Sequence, residues 1–336
     1  MKNILFSFAF LSLLMVTVPS GLGADEAVDE AAIADAAADA AGAAANGFSA
    51  RTSLELQVSS RPEAKLRLVE TLKIPMLAGS GALVKGNNLK TAFAAELSPV
   101  SVNGKADFTL TPIAFLEVQA GGVIGSGWTI PLGTGLGINT PTGTETPGVV
   151  RKRSYVGGPF QGFVWNAYAG GAFQFDLGAV LPGDWTHVLF RTYHEGRYKA
   201  YTEASDNEPW VYEADMGENF NGWVYNGSFV VGYQMPRSPV LDTVAFMSEW
   251  SRTFYDHPKG NWGENRTAWI YSIIFNLRLT PNLSAMLGAQ MRTLRNYGDG
   301  DPENKAGTFF EDKVIDKDIP ELVEFYRALL VLTCTL

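Results

Sequence analysis

The sequence predicts an all-β chain, a transmembrane antiparallel up-and-down β-barrel of about 12 strands, with about 10 as the alternative. Three observations carry that expectation. Apolar residues recur with period two over runs longer than soluble strands usually reach. Short turns alternate with long polar segments. Beyond the N-terminal stretch, no run of about 20 apolar residues offers a membrane-crossing helix.

The chain starts with Lys2, an apolar run from Ile4 to Val18, then Pro19 and the small residues Ser20, Gly21 and Gly23. A charged start, an apolar centre and a small-residue exit predict a secretory signal peptide over residues 1–23, cleaved after Gly23. That centre is short for a membrane anchor, and no basic stop-transfer cluster follows it. Residues 24–48 are Ala-rich and carry Asp25, Glu26, Asp29, Glu30, Asp35 and Asp39 with no basic residue. Val28 and Ile33 are too few to make a packing stripe, so this segment reads as a solvated periplasmic linker, partly helical. The alternative is a segment that enters the barrel or binds cations or a periplasmic partner.

Residues 49–336 then form the barrel. The clearest strand runs from Thr267 to Thr280, with Trp269, Tyr271, Ile273, Phe275, Leu277 and Leu279 on one face and Ser272, Asn276, Arg278 and Thr280 on the other. Pro281-Asn282 turns the chain into a partner in which Leu283, Ala285, Leu287, Ala289 and Met291 alternate with Ser284, Gly288, Gln290 and Arg292. Similar alternation spans 106–119, 163–177, 223–234 and 243–253, with shorter versions at 54–59, 64–74 and 89–97. From Trp185 to Tyr201 the pattern is mixed, which leaves a strand of uncertain register. Turns at Ser98-Pro99, Pro182-Gly183-Asp184, 236–239 and Pro281-Asn282 are expected on one side. The longer segments 79–88, 120–158, 205–219, 256–265 and 298–318 are expected on the other.

Strand length and aromatic placement favour a lipid-spanning barrel over a soluble one, because crossing lipid takes about 9 to 11 tilted residues per strand. A charge at the bilayer midplane costs about 2 to 4 kcal/mol, so ionised side chains should point inward. The expected lumen charges are Lys65, Arg67, Glu96, Asp107, Glu117, Asp176, Glu249, Arg278, Arg292 and Arg327. The expected lipid-facing girdle is Trp165, Trp223, Tyr225, Trp250, Trp269, Tyr271 and Tyr326.

The final segment, Glu321 to Leu336, sets Tyr326, Ala328, Leu330, Leu332, Cys334 and Leu336 against Arg327, Thr333 and Thr335. From about Arg51 to this end the chain resembles bacterial outer-membrane β-barrel proteins, whose last strand carries an alternating apolar signal. The resemblance implies an outer-membrane location, contact with outer-membrane lipid, and recognition by the barrel-assembly machinery. The last residue departs from the pattern, being Leu336 where such proteins typically end in Phe or Trp.

Other chemistry is sparse. The net charge of −9 and the absence of a long basic run argue against a nucleic-acid partner. Cys334 is the only cysteine, so no internal disulfide can form and the residue reads as a small apolar one. No metal-ligand spacing, phosphate-loop context or nucleophile elbow appears, so neither a metal nor a cofactor is expected. The acidic run Glu311, Asp312, Asp316, Asp318 and Glu321 reads as a solvated loop. His187 or His194 could pair with a serine across strands as a barrel-embedded lipid hydrolase, but a rim or lumen histidine is the preferred reading and the chain is not expected to be an enzyme. The leading expectation is a porin-like channel for passive diffusion of small hydrophilic solutes, with facing rings of both charges around a water-filled pore. The alternative is a barrel filled by salt-bridged networks, serving as an anchor or surface-loop adhesin.

Overall fold

The computed structural model describes residues 47–61, 63–81, 83–131, 133–181, 183–213, 215–255, 257–258, 262–298 and 307–336. The expected signal peptide and nearly all of the acidic linker lie outside these residues. In chain order the strands are β1 (Ser49–Ser59), β2 (Ala64–Pro75), β3 (Asn88–Leu97), β4 (Ser101–Ile113), β5 (Leu116–Gly127), β6 (Thr129–Ile130), β7 (Gly133–Thr134), β8 (Leu136–Thr142) and β9 (Lys152–Val156). They continue with β10 (Val164–Asp176), β11 (Val188–Tyr201), β12 (Trp210–Tyr212), β13 (Gly222–Gln234), β14 (Leu241–Thr253), β15 (Ala268–Arg278), β16 (Leu283–Arg295) and β17 (Glu321–Thr335).

Strands β1–β5, β10, β11 and β13–β17 close into one antiparallel barrel of twelve, sealed where β1 pairs with β17 and Ser53 lies opposite Thr335. Closure removes every free sheet edge, which is what a sheet surrounded by lipid requires. The wall strands run from 10 residues in β3 to 15 in β17, enough to cross a hydrocarbon layer when tilted.

The ends of the barrel differ. The end holding Ser49 and Thr335 carries connections 76–87, 114–115, 177–187, 235–240 and 279–282 and is called the turn end. The opposite, loop end carries 60–63, 98–100, 128–163, 202–221, 254–267 and 296–320. Two sequence assignments are thereby exchanged. Ser98-Pro99 is a tight turn at the loop end, and segment 79–88 is a longer connection at the turn end. The segment 120–158 also begins inside β5 rather than in a loop.

Alternation fails where the backbone departs from a straight ladder. The run 106–119, read as one strand, is the β4–β5 hairpin, with Ala114 and Phe115 at its turn. Turning there accounts for Ile113 and Phe115 interrupting the polar side. A bulge in β17 sets Gln290 opposite Arg327 but Met291 opposite Phe325, so Tyr326 is the extra residue. Phe325 is exposed and Tyr326 is buried.

Outside, every wall strand presents apolar side chains, among them Leu54, Leu68, Phe93, Phe108, Val118, Phe173, Phe190, Phe229, Phe246, Ile273, Leu287 and Phe325. An apolar belt around the whole cylinder is the surface that lipid covers. Inside, strands β1–β5, β10 and β11 turn mostly charged and amide side chains inward. On β13–β17 the turn-end half is different: Val230, Ala245, Met247, Ile274, Met286, Leu329 and Val331 form an apolar cluster. The sequence-based expectation of a uniformly polar lumen is corrected on that arc.

Candidate functional site

The inward charges form a ladder of ion pairs. Arg67 on β2 reaches Glu55 on β1 at 3.2 Å and Glu96 on β3 at 2.6 Å, each a cross-strand neighbour of Arg67 in register. Lys65, one inward position nearer the loop end, lies 3.6 Å from Glu96 and 2.9 Å from Glu213. Lys105 approaches Asp107 at 3.2 Å. Reaching past β10, Arg191 of β11 meets Glu117 of β5 at 3.0 Å. Glu195 accepts hydrogen bonds from Tyr193 at 2.7 Å, Arg197 at 2.8 Å and Asn226 at 3.0 Å. The Arg197 guanidinium lies 4.3 Å from the centre of the Tyr168 ring.

These groups leave little space. Arg327 is 0% exposed, Arg292 1%, Ser228 1%, Met247 0% and Glu117 3%. Small inward residues make the close approach possible: a Cβ at Gly125 would fall on Asn103 Oδ1 and Tyr212 Oη. An aqueous pore would leave such side chains wet. Here the described inward residues pack against one another as in a globular core.

Of the ten charges expected inside, Lys65, Arg67, Glu96, Asp107, Glu117, Glu249, Arg292 and Arg327 are buried inward. Arg327 bonds Gln290 at 2.7 Å and Glu63 at 2.6 Å, and Arg292 bonds Glu324 at 3.0 Å. Glu249 is buried with neither carboxylate oxygen hydrogen-bonded. Asp176 and Arg278 sit instead at the turn-end rim, where Asp176 is paired with His187 Nδ1 at 2.8 Å and Arg278 donates to Asp242 at 2.6 Å.

The expected girdle residues other than Tyr326 lie outward, and their rings succeed one another near the loop end. Centroid separations are 5.6 Å for Trp165 and Tyr198, 5.5 Å for Tyr198 and Trp223, 5.3 Å for Trp250 and Trp269, and 6.1 Å for Trp269 and Tyr271. Tyr225 joins the row through His194, whose Nδ1 is 2.6 Å from its hydroxyl. Tyr326 departs from expectation: the bulge turns it inward, with the guanidiniums of Arg61, Arg292 and Arg327 at 4.6, 4.6 and 4.9 Å from its ring centre.

Sequence reasoning missed Arg191, Glu195, Arg197 and Lys199 as a set. Their spacing of two to four residues is a usable signal, masked because the mixed pattern of 185–201 does not fix which face is inward. It also missed Glu213, for which a loop sequence offers none.

The loop end is covered. Strands β12, β8 and β9 form a small sheet, and Leu136, Val164, Tyr201, Trp210 and Tyr212 make an aromatic cluster beside it. Just after β12 the backbone of Glu213 takes a positive φ of 51°. Its carboxylate enters the barrel and accepts hydrogen bonds from Lys65 at 2.9 Å, Ser101 at 2.6 Å and Asn103 at 2.7 Å. A second cluster, of Phe220, Val224, Tyr255, Trp262, Tyr297, Phe309 and Phe310, covers the other arc. A bridge between Lys152 and Thr308 and a 2.7 Å pair of Arg151 with Asp312 connect the two sides.

Burial raises the Asp215 carboxyl to about 7, opposed by hydrogen bonds from Asn219 and the Gly217 amide and by the charge of Lys199. Burial likewise pushes the Tyr155 hydroxyl up. Asp316 is held below the usual carboxylate range by the amides of Ile319 and Asp318.

The histidines are not brought together. His187 is at the turn end, His194 lies on the outward face, and His257 packs under the loop-end aromatics 3.2 Å from Glu311. Among the described residues no group of three or more His, Cys, Asp or Glu could hold a metal ion.

No family model and no curated protein matches the chain. Its structural neighbours are bacterial outer-membrane β-barrels at very low identity. The NanC porin is similar at 8% identity and TM-score 0.39, over 85% of this chain and 98% of that one. OmpT, an outer membrane protein of Vibrio cholerae, is similar in its trimer form at 8% identity and TM-score 0.33, over 86% and 99%. CdiB from Acinetobacter baumannii is similar at 7% identity and TM-score 0.33, over 100% and 72%. The likeness is in the closed antiparallel barrel.

Proposed function

We propose that this chain is an outer-membrane barrel whose interior is closed and whose working surface is the covered loop end, a membrane-anchored binding protein rather than an open pore. The carrying observation is the packed interior, in which Arg67, Glu117, Arg191 and Arg327 are paired and buried along the height of the wall. The exposed apolar belt supports contact with outer-membrane lipid. The alternating final strand supports recognition by the barrel-assembly machinery, and residues 1–23 support export through a cleaved signal. The wild type should give no conductance steps in planar bilayers and no liposome swelling. Stable steps at low voltage would defeat this reading.

A second reading, passive passage of small hydrophilic solutes, is supported by one observation: the arc from β1 to β11 is lined with charges of both signs, as a hydrophilic path would be. It requires the Glu213 segment to leave its place beside Lys65. Under this reading Glu213→Ala should open a current that the wild type lacks. The hydrolase alternative has less support, since His187 and His194 lie on different faces of the barrel.

A further inference from the structure

At the turn end the charge pattern of the wall changes. Deeper in the barrel Arg67 has Glu55 and Glu96 as its two cross-strand neighbours, so cation and carboxylate alternate along the arc. Lys73, three inward positions nearer the turn end on β2, has Ser49 and Lys90 instead. That row continues through Thr109 to Gln119, so it holds two lysines and no carboxylate. Like charges set directly opposite each other repel and weaken a sheet. Arg51, one inward position deeper on β1, adds a third cation and donates to Thr335 Oγ1 at 2.6 Å. The row of Arg51 runs through Thr71 and Ala92 to Asp107, which is paired with Lys105 at 3.2 Å. On the far arc Asp176 is engaged by His187 and Asp242 by Arg278. Arg51, Lys73 and Lys90 are half-buried, so the mouth still presents them to a chain that enters it.

The chain enters β1 at this same mouth, with Ser49 level with Lys73. Residues 24–46, which lead into it, carry Asp25, Glu26, Asp29, Glu30, Asp35 and Asp39 and no basic residue. Six carboxylates therefore stand next in sequence to a mouth that holds three cations. Reach is no obstacle. Asp39 lies ten residues before Ser49. Ten residues span about 15 Å as a helix and over ~30 Å when extended, whereas Lys90 is two strands from β1, about 10 Å away. Tethering also gives the segment an effective concentration of roughly millimolar at the mouth, so a free acidic partner competes with it at a disadvantage.

We infer that residues 24–46 dock inside the turn-end mouth, with their carboxylates against Arg51, Lys73 and Lys90. This contact lies at the opposite end of the barrel from the proposed binding surface and does not depend on it. The test uses the chain purified in detergent from the outer membrane of an expression host, as a mixture of isotope-labelled and unlabelled protein. A carbodiimide, which joins a carboxylate directly to an amine, should link the tryptic peptide ending at Arg51 to one containing Lys73 or Lys90 of the same molecule. Thermolysin cutting within 24–46 is compared with cutting of the free peptide of the same sequence. Relative to that standard, the wild type should be cut about tenfold more slowly than a variant whose six acids are changed to Asn or Gln, and salt of about 0.5 M should narrow the gap. Lys73→Gln combined with Lys90→Gln should release the segment in the same way. If that variant does not fold, the acid-neutral one decides, because its changes lie outside the wall. Links that miss both lysines, as at the exposed Lys85 of connection 76–87, would overturn the inference. So would links that join labelled to unlabelled copies, or equal relative cutting of the wild type and the acid-neutral variant.

Discussion

Two parts of the barrel interior solve the same packing problem with opposite chemistry. On β1, β2 and β3, Glu55, Arg67 and Glu96 bury charge against charge. On the turn-end half of β13–β17, Val230, Met247, Ile274, Met286 and Val331 bury hydrocarbon. The charged part gains little net energy from its pairs, because desolvation offsets attraction, but it penalises any broken pair heavily. The apolar part contributes by burial and close contact. Outward residues cannot contribute in that way, since lipid is as apolar as they are. The stability of the wall in lipid therefore depends on what fills its centre.

The largest expected effect breaks the charged part. Arg67→Ala leaves Glu55 and Glu96 buried beside a missing cation, and a loss of about 3–5 kcal/mol is expected in urea unfolding from lipid vesicles. Met247→Ala, made in the apolar part where the side chain is fully buried, should cost about 2–4 kcal/mol in the same assay. If Arg67→Ala proved the milder of the two, water would have to be reaching the charged arc.

A pH effect at the loop end comes next. Asp215 keeps its proton in the folded protein up to about 7, whereas an unfolded Asp loses it near 3.8, so the folded state holds more protons between those values. Stability must then fall as pH rises through that window and level off above it. Hydrogen-exchange protection of segment 205–221, taken relative to the intrinsic exchange rate at each pH, should be greater at pH 5 than at pH 8, with the difference abolished in Asp215→Asn. The smallest effect belongs to Arg237, paired at 3.8 Å with Asp184 where both side chains are mostly exposed. Arg237→Ala should change stability by less than about 0.5 kcal/mol.

The barrel was legible because lipid on one side and a filled interior on the other impose a period of two on most wall strands. Residues 267–280 displayed it plainly, and β15 runs from Ala268 to Arg278. The β4–β5 turn at Ala114 and Phe115 was hidden because neither residue carries turn chemistry. The inward Met247, Ile274 and Val331 could not be separated from outward neighbours, since an apolar residue fits either face. Glu213 reaches the charge ladder through a loop of positive φ, and local pattern carries no record of which distant lysine a loop will meet.

The extra residue in β17 works as a phase shifter. Upstream of it Glu324 faces Arg292, and downstream Arg327 faces Gln290, although an odd number of residues separates the two inward positions. Deleting Tyr326 would leave an unbroken ladder in which Glu324 still faces Arg292 and Arg327 still faces Gln290, at the cost of the ring that three guanidiniums surround. Threading Tyr326 into a straight ladder would instead put the two halves out of step. Either Glu324 would be driven into hydrocarbon, or Arg327, Leu329 and Val331 would change places with Ala328, Leu330 and Leu332 along the seam that closes on β1. The kink thus lets the closing strand carry one residue more than its partner and still seal the cylinder with its polar side chains on the inside.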